Sequence, residues 1–94
     1  MQTVKLSKEQ IQGLKYFSSD VLTDHEGRKM RLNHLNRALS LGNLYKNHVR
    51  LHFVDALSRQ IETEATIWAV TEKYVILKSR AMIPIRSIFE VKYA

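Results

Sequence analysis

Up to Gly42 the apolar residues of this chain recur at helical spacing, and beyond Asn43 they alternate with polar ones as on a strand. Ser7-Lys-Glu-Gln10 has the spacing of a capping box, in which Ser and Gln side chains serve the free N–H groups of a helix start. Ile11, Leu14 and Phe17 follow at helical intervals, which predicts a helix over 8–17, and Ser18-Ser-Asp20 offers a break. Thr23-Asp-His-Glu26 is a second capping box and predicts a helix over 24–41. Leu32, Leu35, Ala38 and Leu39 line its apolar face, Arg28, Arg31 and Asn36 lie off that stripe, and Gly42-Asn43 suits a left-handed helix end.

After Gly42, Val49, Leu51 and Phe53 alternate with Arg50 and His52, Asp55-Ala-Leu-Ser58 reads as a turn, and Ile61, Thr63, Ala65 and Ile67 continue the alternation. Trp68 falls on the polar side of that pattern, so either a bulge re-aims it or it covers a second apolar surface. Ile67–Val70 and Tyr74–Leu77 are β-branched and aromatic runs around a tight break at Thr71-Glu-Lys73. Pro84 lacks an N–H and belongs on an edge strand, and the step from Ile85 to Ile88 breaks the period of two and implies a kink. Together these segments predict an α+β chain in a single domain, 1–94. One or two N-terminal helices (8–41) pack on a small antiparallel meander of four to five strands (49–93), bent or closed into a barrel. The other arrangement is a mobile N-terminal helix up to residue 20 attached to a barrel.

Composition narrows the function. Ninety-four residues allow one modest core and no deep active site. No run of about 18 apolar residues is present, and Met1-Gln-Thr-Val-Lys-Leu lacks the apolar core of a secretory signal. The absence of cysteine excludes disulfides and thiolate chemistry and fits a reducing cytoplasm. Charge is uneven. Residues 27–54 carry Arg28, Lys29, Arg31, Arg37, Lys46 and Arg50 without one acid, so the whole formal excess of +6 falls there. Such a stretch is either a solvated face or an attractor of polyanions.

The order of one helix and five short strands, with a kink before the last, is similar to the Sm-like fold. It most resembles the bacterial Sm-like RNA chaperones of the Hfq type over residues 32–92. Leu35–Leu39, Val49–Asp55, Glu72–Leu77 and Met82–Ile88 carry the likeness. That resemblance implies a five-stranded Sm/SH3-like barrel and an RNA ligand. It places Tyr74 at an aromatic that stacks on uracil and Arg86 at the histidine of a tyrosine-lysine-histidine motif. Pro84 and Ile85 stand where that motif has its first two residues, and Thr66 where a glycine bends the second strand. The run Trp68–Lys78 also looks like short uncharacterised proteins of Bacteroidetes type, which implies no activity.

No catalytic constellation stands out. His48 and His52 share a strand face but lie about 13 Å apart, too far for one metal. Asp24-His-Glu26 suits capping, Glu62 and Glu64 take wet strand positions, and the three glycines are isolated. Phe53, Trp68, Phe89 and Tyr93 read as core or core edge, and Tyr45 and Tyr74 as base-stacking candidates beside lysines. The expectation is a non-enzymatic cytoplasmic binding module without catalytic residues, metal or cofactor. Its ligand is single-stranded RNA or other nucleic acid, held by Arg28, Lys29, Arg31, Arg37, Lys46, Arg50, Lys73, Tyr74 and Arg86. The alternative is a protein-interaction or regulatory domain. Pro84 at an edge predicts a monomer or weak oligomer, and no membrane contact is expected.

Overall fold

A carboxylate starts the helix. In the computed structural model, which describes residues 3–45 and 48–93 (43–45 as backbone alone), Asp24 Oδ2 accepts the Gly27 N–H at 2.8 Å. Helix α1 then runs His25–Tyr45. A Cβ at Gly27 would lie 2.7 Å from Asp24 Oδ1, so glycine leaves room for the capping carboxylate. The helix continues through Gly42 instead of ending there, and the stripe that it buries is Arg31, Leu35, Ala38 and Gly42. Leu32, expected inside, is 44% exposed, and Arg31, expected outside, is 7% exposed.

Arg31 can be buried because its guanidinium is paired with a carboxylate. Its two terminal nitrogens donate to Asp20 Oδ1 at 2.8 Å and Oδ2 at 2.7 Å, and the first also donates to the Ile88 carbonyl at 2.9 Å. Burial alone would raise the Asp20 carboxyl. The hydrogen bonds from Arg31 and the Leu22 N–H, with the charges of Arg31 and Arg28, outweigh it and hold the group below the ordinary carboxylate range.

Seven strands accompany the helix among the described residues: β1 Thr3–Lys5, β2 Val49–Val54, β3 Gln60–Ala65, β4 Ile67–Val70, β5 Tyr74–Leu77, β6 Met82–Pro84 and β7 Ile88–Tyr93. They form two sheets, β1-β3-β2-β7 and β4-β5-β6. The expected continuous meander is therefore interrupted: the chain leaves the first sheet at Thr66 and rejoins it at Ile88, after the 3-10 turn Ile85–Ser87. The ladders do not close into one hydrogen-bonded barrel. Pro84 lies on the edge strand β6, opposite Tyr74. The helix packs on β4 and β7, one strand from each sheet. Leu35, Leu51, Phe53, Ile61, Val75, Leu77, Ile83 and Ile88 are fully buried in one core.

The helix expected over 8–17 is absent. Ser7 and Gln10 make the reciprocal capping bonds, at 2.8 and 3.3 Å, but they close only a turn. Gly13 sits at φ +82, a left-handed conformation that no α-helix passes through. Tertiary contacts hold the segment as turns over 8–13 and an irregular stretch after them. Ile11 is buried, the Tyr16 ring packs on Phe53 at 6.0 Å, the Ala56 N–H donates to the Lys15 carbonyl at 2.8 Å, and Arg86 Nε donates to the Phe17 carbonyl at 2.6 Å. Burial, and then the nearby Asp55 charge, push the Tyr16 phenol up to about 12. The parallel pairing of β1 with β3 has no counterpart in the sequence reading.

The β2–β3 and β5–β6 turns are each closed by a backbone bond around three residues, from the Asp55 N–H to the Arg59 carbonyl at 3.2 Å and from the Leu77 N–H to the Ala81 carbonyl at 2.9 Å, and the last of each three is left-handed: Ser58 at φ 63 and Arg80 at φ 74. Asp55 anchors the first loop. Its carboxylate accepts the Leu57 and Arg59 N–H groups, each at 3.0 Å, and the Arg59 guanidinium at 2.7 Å. Burial would raise this carboxyl too, and the bonds from Arg59 and Leu57 lower it.

Two expectations follow. Asp20→Ala leaves the Arg31 guanidinium buried without its counter-charge and should cost roughly 3–5 kcal/mol in urea denaturation. Folded Asp20 and Asp55 bind protons less readily than unfolded ones, so the unfolded chain takes up more protons as acid is added. Stability should be full above the unfolded carboxylate value of about 3.9 and fall as pH drops below it. The Asp20→Asn, Asp55→Asn double variant should show a lower plateau and a flatter acid limb.

Candidate nucleic-acid interface

The strand pattern on the second sheet decides which side chains meet solvent. Val75, Leu77 and Ile83 point into the core, so Tyr74, Ile76 and Met82 point out. Ile76 pairs with Ala69 on one side and Met82 on the other, an apolar row crossing all three strands. Tyr74 lies over the edge proline Pro84. The β4–β5 register slips between Ile67 and Ala69, and the residue in the slip is Trp68. Ile67 points in and Ala69 aligns with the outward Ile76, so the bulge puts Trp68 and Ala69 on the outer side together.

Trp68 is 59% exposed, which corrects the expectation of a core residue: it stays on the polar side, where plain alternation puts it, and the bulge re-aims Ala69 instead. Phe53 is fully buried, Phe89 half-buried and Tyr93 exposed, with the Arg37 guanidinium 5.7 Å from the Tyr93 ring centre. Burial raises the Tyr93 phenol and the Arg37 charge opposes that shift.

Beside Trp68 a groove of about 820 Å³ runs past Lys8, Glu9, His48, Lys78 and Arg80. Among the described residues, no carboxylate lies within 4.0 Å of Lys8, Lys78 or Arg80, whereas His48 is 3.6 Å from Glu64. The loop that carries Lys78 and Arg80 is fixed at both ends: Arg80 N–H donates to the Leu77 carbonyl at 2.8 Å and Leu77 N–H to the Ala81 carbonyl at 2.9 Å.

The cations expected to act together are dispersed. Arg31 is buried on Asp20. Arg28 donates through Nε to the Leu22 carbonyl at 2.8 Å, and Arg86 is tied to Phe17. Lys29 and Arg37 are exposed on the helix, and Arg50 stands on the first sheet between Glu64 and Lys92. Lys73 and Tyr74 sit at the β4–β5 hairpin end of the second sheet, where Thr71 Oγ1 accepts the Tyr74 N–H at 2.9 Å. Lys46 and the Tyr45 side chain lie outside the described residues. The sequence reading missed Lys8, Lys78 and Arg80 as a group. It did record the signal that finds them, a tryptophan on the polar side of an alternating strand.

The chain matches no protein-family model, no curated protein and no solved structure. Its chemistry is therefore argued from its own surface. No helix among the described residues is long and apolar enough to cross a membrane.

Arg80 occupies the loop position where glycine is the usual residue. Relief of a left-handed penalty of about 1–2 kcal/mol is partly offset by glycine's greater freedom in the unfolded chain, about 0.5–1 kcal/mol. Arg80→Gly should therefore raise the thermal midpoint slightly, as read by circular dichroism.

Proposed function

We propose that this protein is a non-enzymatic binding module for single-stranded nucleic acid, RNA in the first place, and that its contact surface is the outer face of β4-β5-β6. The observation that carries the reading is Trp68, a large aromatic exposed at a bulge and bordered by a groove with Lys8, Lys78 and Arg80. Aromatic rings hold bases by stacking whatever the sequence, and cations beside them follow the phosphates. Lys73 and Tyr74 extend the same face toward the hairpin end. The 28–50 stretch contributes Lys29, Arg37 and Arg50 as a diffuse positive field and not as a contact site.

The strand order supports the likeness to the Sm-like fold: a helix, a strand, a long strand bent at Thr66, two strands, a 3-10 turn and a last strand back on the first. Pro84 on β6 weakens that edge for strand pairing, so self-association is expected to be weak. The absence of cysteine suits a reducing cytoplasm. One observation favours a second reading, a protein partner: the row Ala69–Ile76–Met82 is apolar and Met82 is 47% exposed.

Fluorescence anisotropy of a labelled octanucleotide at several salt concentrations tests the proposal. With three to four cations on phosphates, the log–log slope should be about −2 to −3. Trp68→Ala should cost about 1–3 kcal/mol of affinity, and Lys29→Glu far less. If no binding occurs at low salt, the reading is wrong and the apolar row points to a protein.

A further inference from the structure

We infer that the groove beside Trp68 is a subsite for one unpaired nucleotide, with its base on the indole and its phosphate held by Lys78 and Arg80. The inference deepens the reading above and rests on it for the strand that supplies the nucleotide. Four observations converge on the same spot. The groove's volume, about 820 Å³, falls within the roughly 300–1,000 Å³ typical of sites for compact ligands. The exposed Trp68 indole lines it. Three of its side chains, Lys8, Lys78 and Arg80, are cations without a carboxylate within 4.0 Å among the described residues, against one lining carboxylate, Glu9. Finally, Arg80 keeps a left-handed backbone at φ 74, where glycine would serve the loop better. Backbone strain of this kind points to a role for the side chain that bears it.

The aromatic wall also selects the ligand. In a duplex each base face is covered by its neighbour, about 3.4 Å away. An indole needs an uncovered base face, which only an unpaired or terminal base presents. Arg80 presents a planar fork and Lys78 a point charge, the two ways in which side chains hold phosphate oxygens.

The same chemistry could come from a free nucleotide or from a strand. Trp68 is the chain's single tryptophan, so its emission reports this groove alone. The full-length protein is titrated with AMP, with 5′-phosphorylated dA octamer and with that octamer annealed to its complement, while labelled octamer is followed in parallel by anisotropy. The octamer should quench Trp68 saturably, and the duplex should do so at least tenfold more weakly. Arg80→Gly, which relieves strain and keeps the fold, should weaken quenching threefold or more, as should Lys78→Ser. Binding of the octamer more than thirtyfold tighter than AMP assigns the groove to strands, and a smaller ratio assigns it to free nucleotides. Octamer binding without a change in Trp68 emission, or equal quenching by the duplex, overturns the subsite and leaves nucleic-acid binding standing. If the labelled octamer does not bind at low salt, the broader reading falls, and the AMP titration alone decides the groove: quenching keeps it and silence ends it.

Discussion

One change of partner at Thr66 organises the molecule. Ala65 and Ile67, on either side, are both buried, so the pleat continues through the bend while the strand exchanges β2 for β5 as its neighbour. Two sheets result from one run of sequence, and the helix spans them by packing on β4 and β7. Trp68 follows the buried Ile67 and faces outward by alternation, and the slip that follows immediately brings Ala69 to the same side. The bend needs no glycine: the Thr66 carbonyl accepts the Lys78 N–H at 2.9 Å and holds the corner.

The buried ion pair has a different task. Arg31 links the helix to Asp20 in the N-terminal segment and to the Ile88 carbonyl at the start of β7. A buried pair is poor evidence for net stability, because desolvation consumes most of the Coulomb gain. Its value lies in geometry, since the N-terminal segment has no helix of its own to fix its path. Arg31 Nε is nonetheless buried without a partner, as are the Tyr16, Thr63 and Ser87 hydroxyls. His52 Nε2 lies 3.2 Å from Glu62 Oε1 but off the line of a hydrogen bond.

The strand half was legible because period-two alternation has one physical cause, a sheet with one face buried. The turns at Asp55 and Thr71, the edge position of Pro84 and the kink before Ile88 all follow from local chemistry that the residues carry themselves. The helix over 24–41 was legible too, but the segment before it was not, because its outcome is decided at long range. A capping box is a local signal, and Ser7 and Gln10 honour it, yet Ile11 and Tyr16 bury more by entering the shared core than a short isolated helix could gain. Arg31 was placed outside by its charge, since only a partner eleven residues back makes its burial tolerable. The basic stretch was legible as charge but not as a surface: neighbours in sequence on a helix face different ways, and β2 takes Arg50 to another sheet. The groove cations come from residue 8 and from 78–80, which no linear window joins.

We propose that the working surface is the outer face of the second sheet and not the helix. Amide chemical-shift mapping with an unlabelled octanucleotide tests it most directly. Shifts concentrated at 66–69 and 74–82, with Lys8 beside them, are the predicted result. Shifts confined to 28–41 of the helix, or to Arg50 and its neighbours on the first sheet, would contradict it.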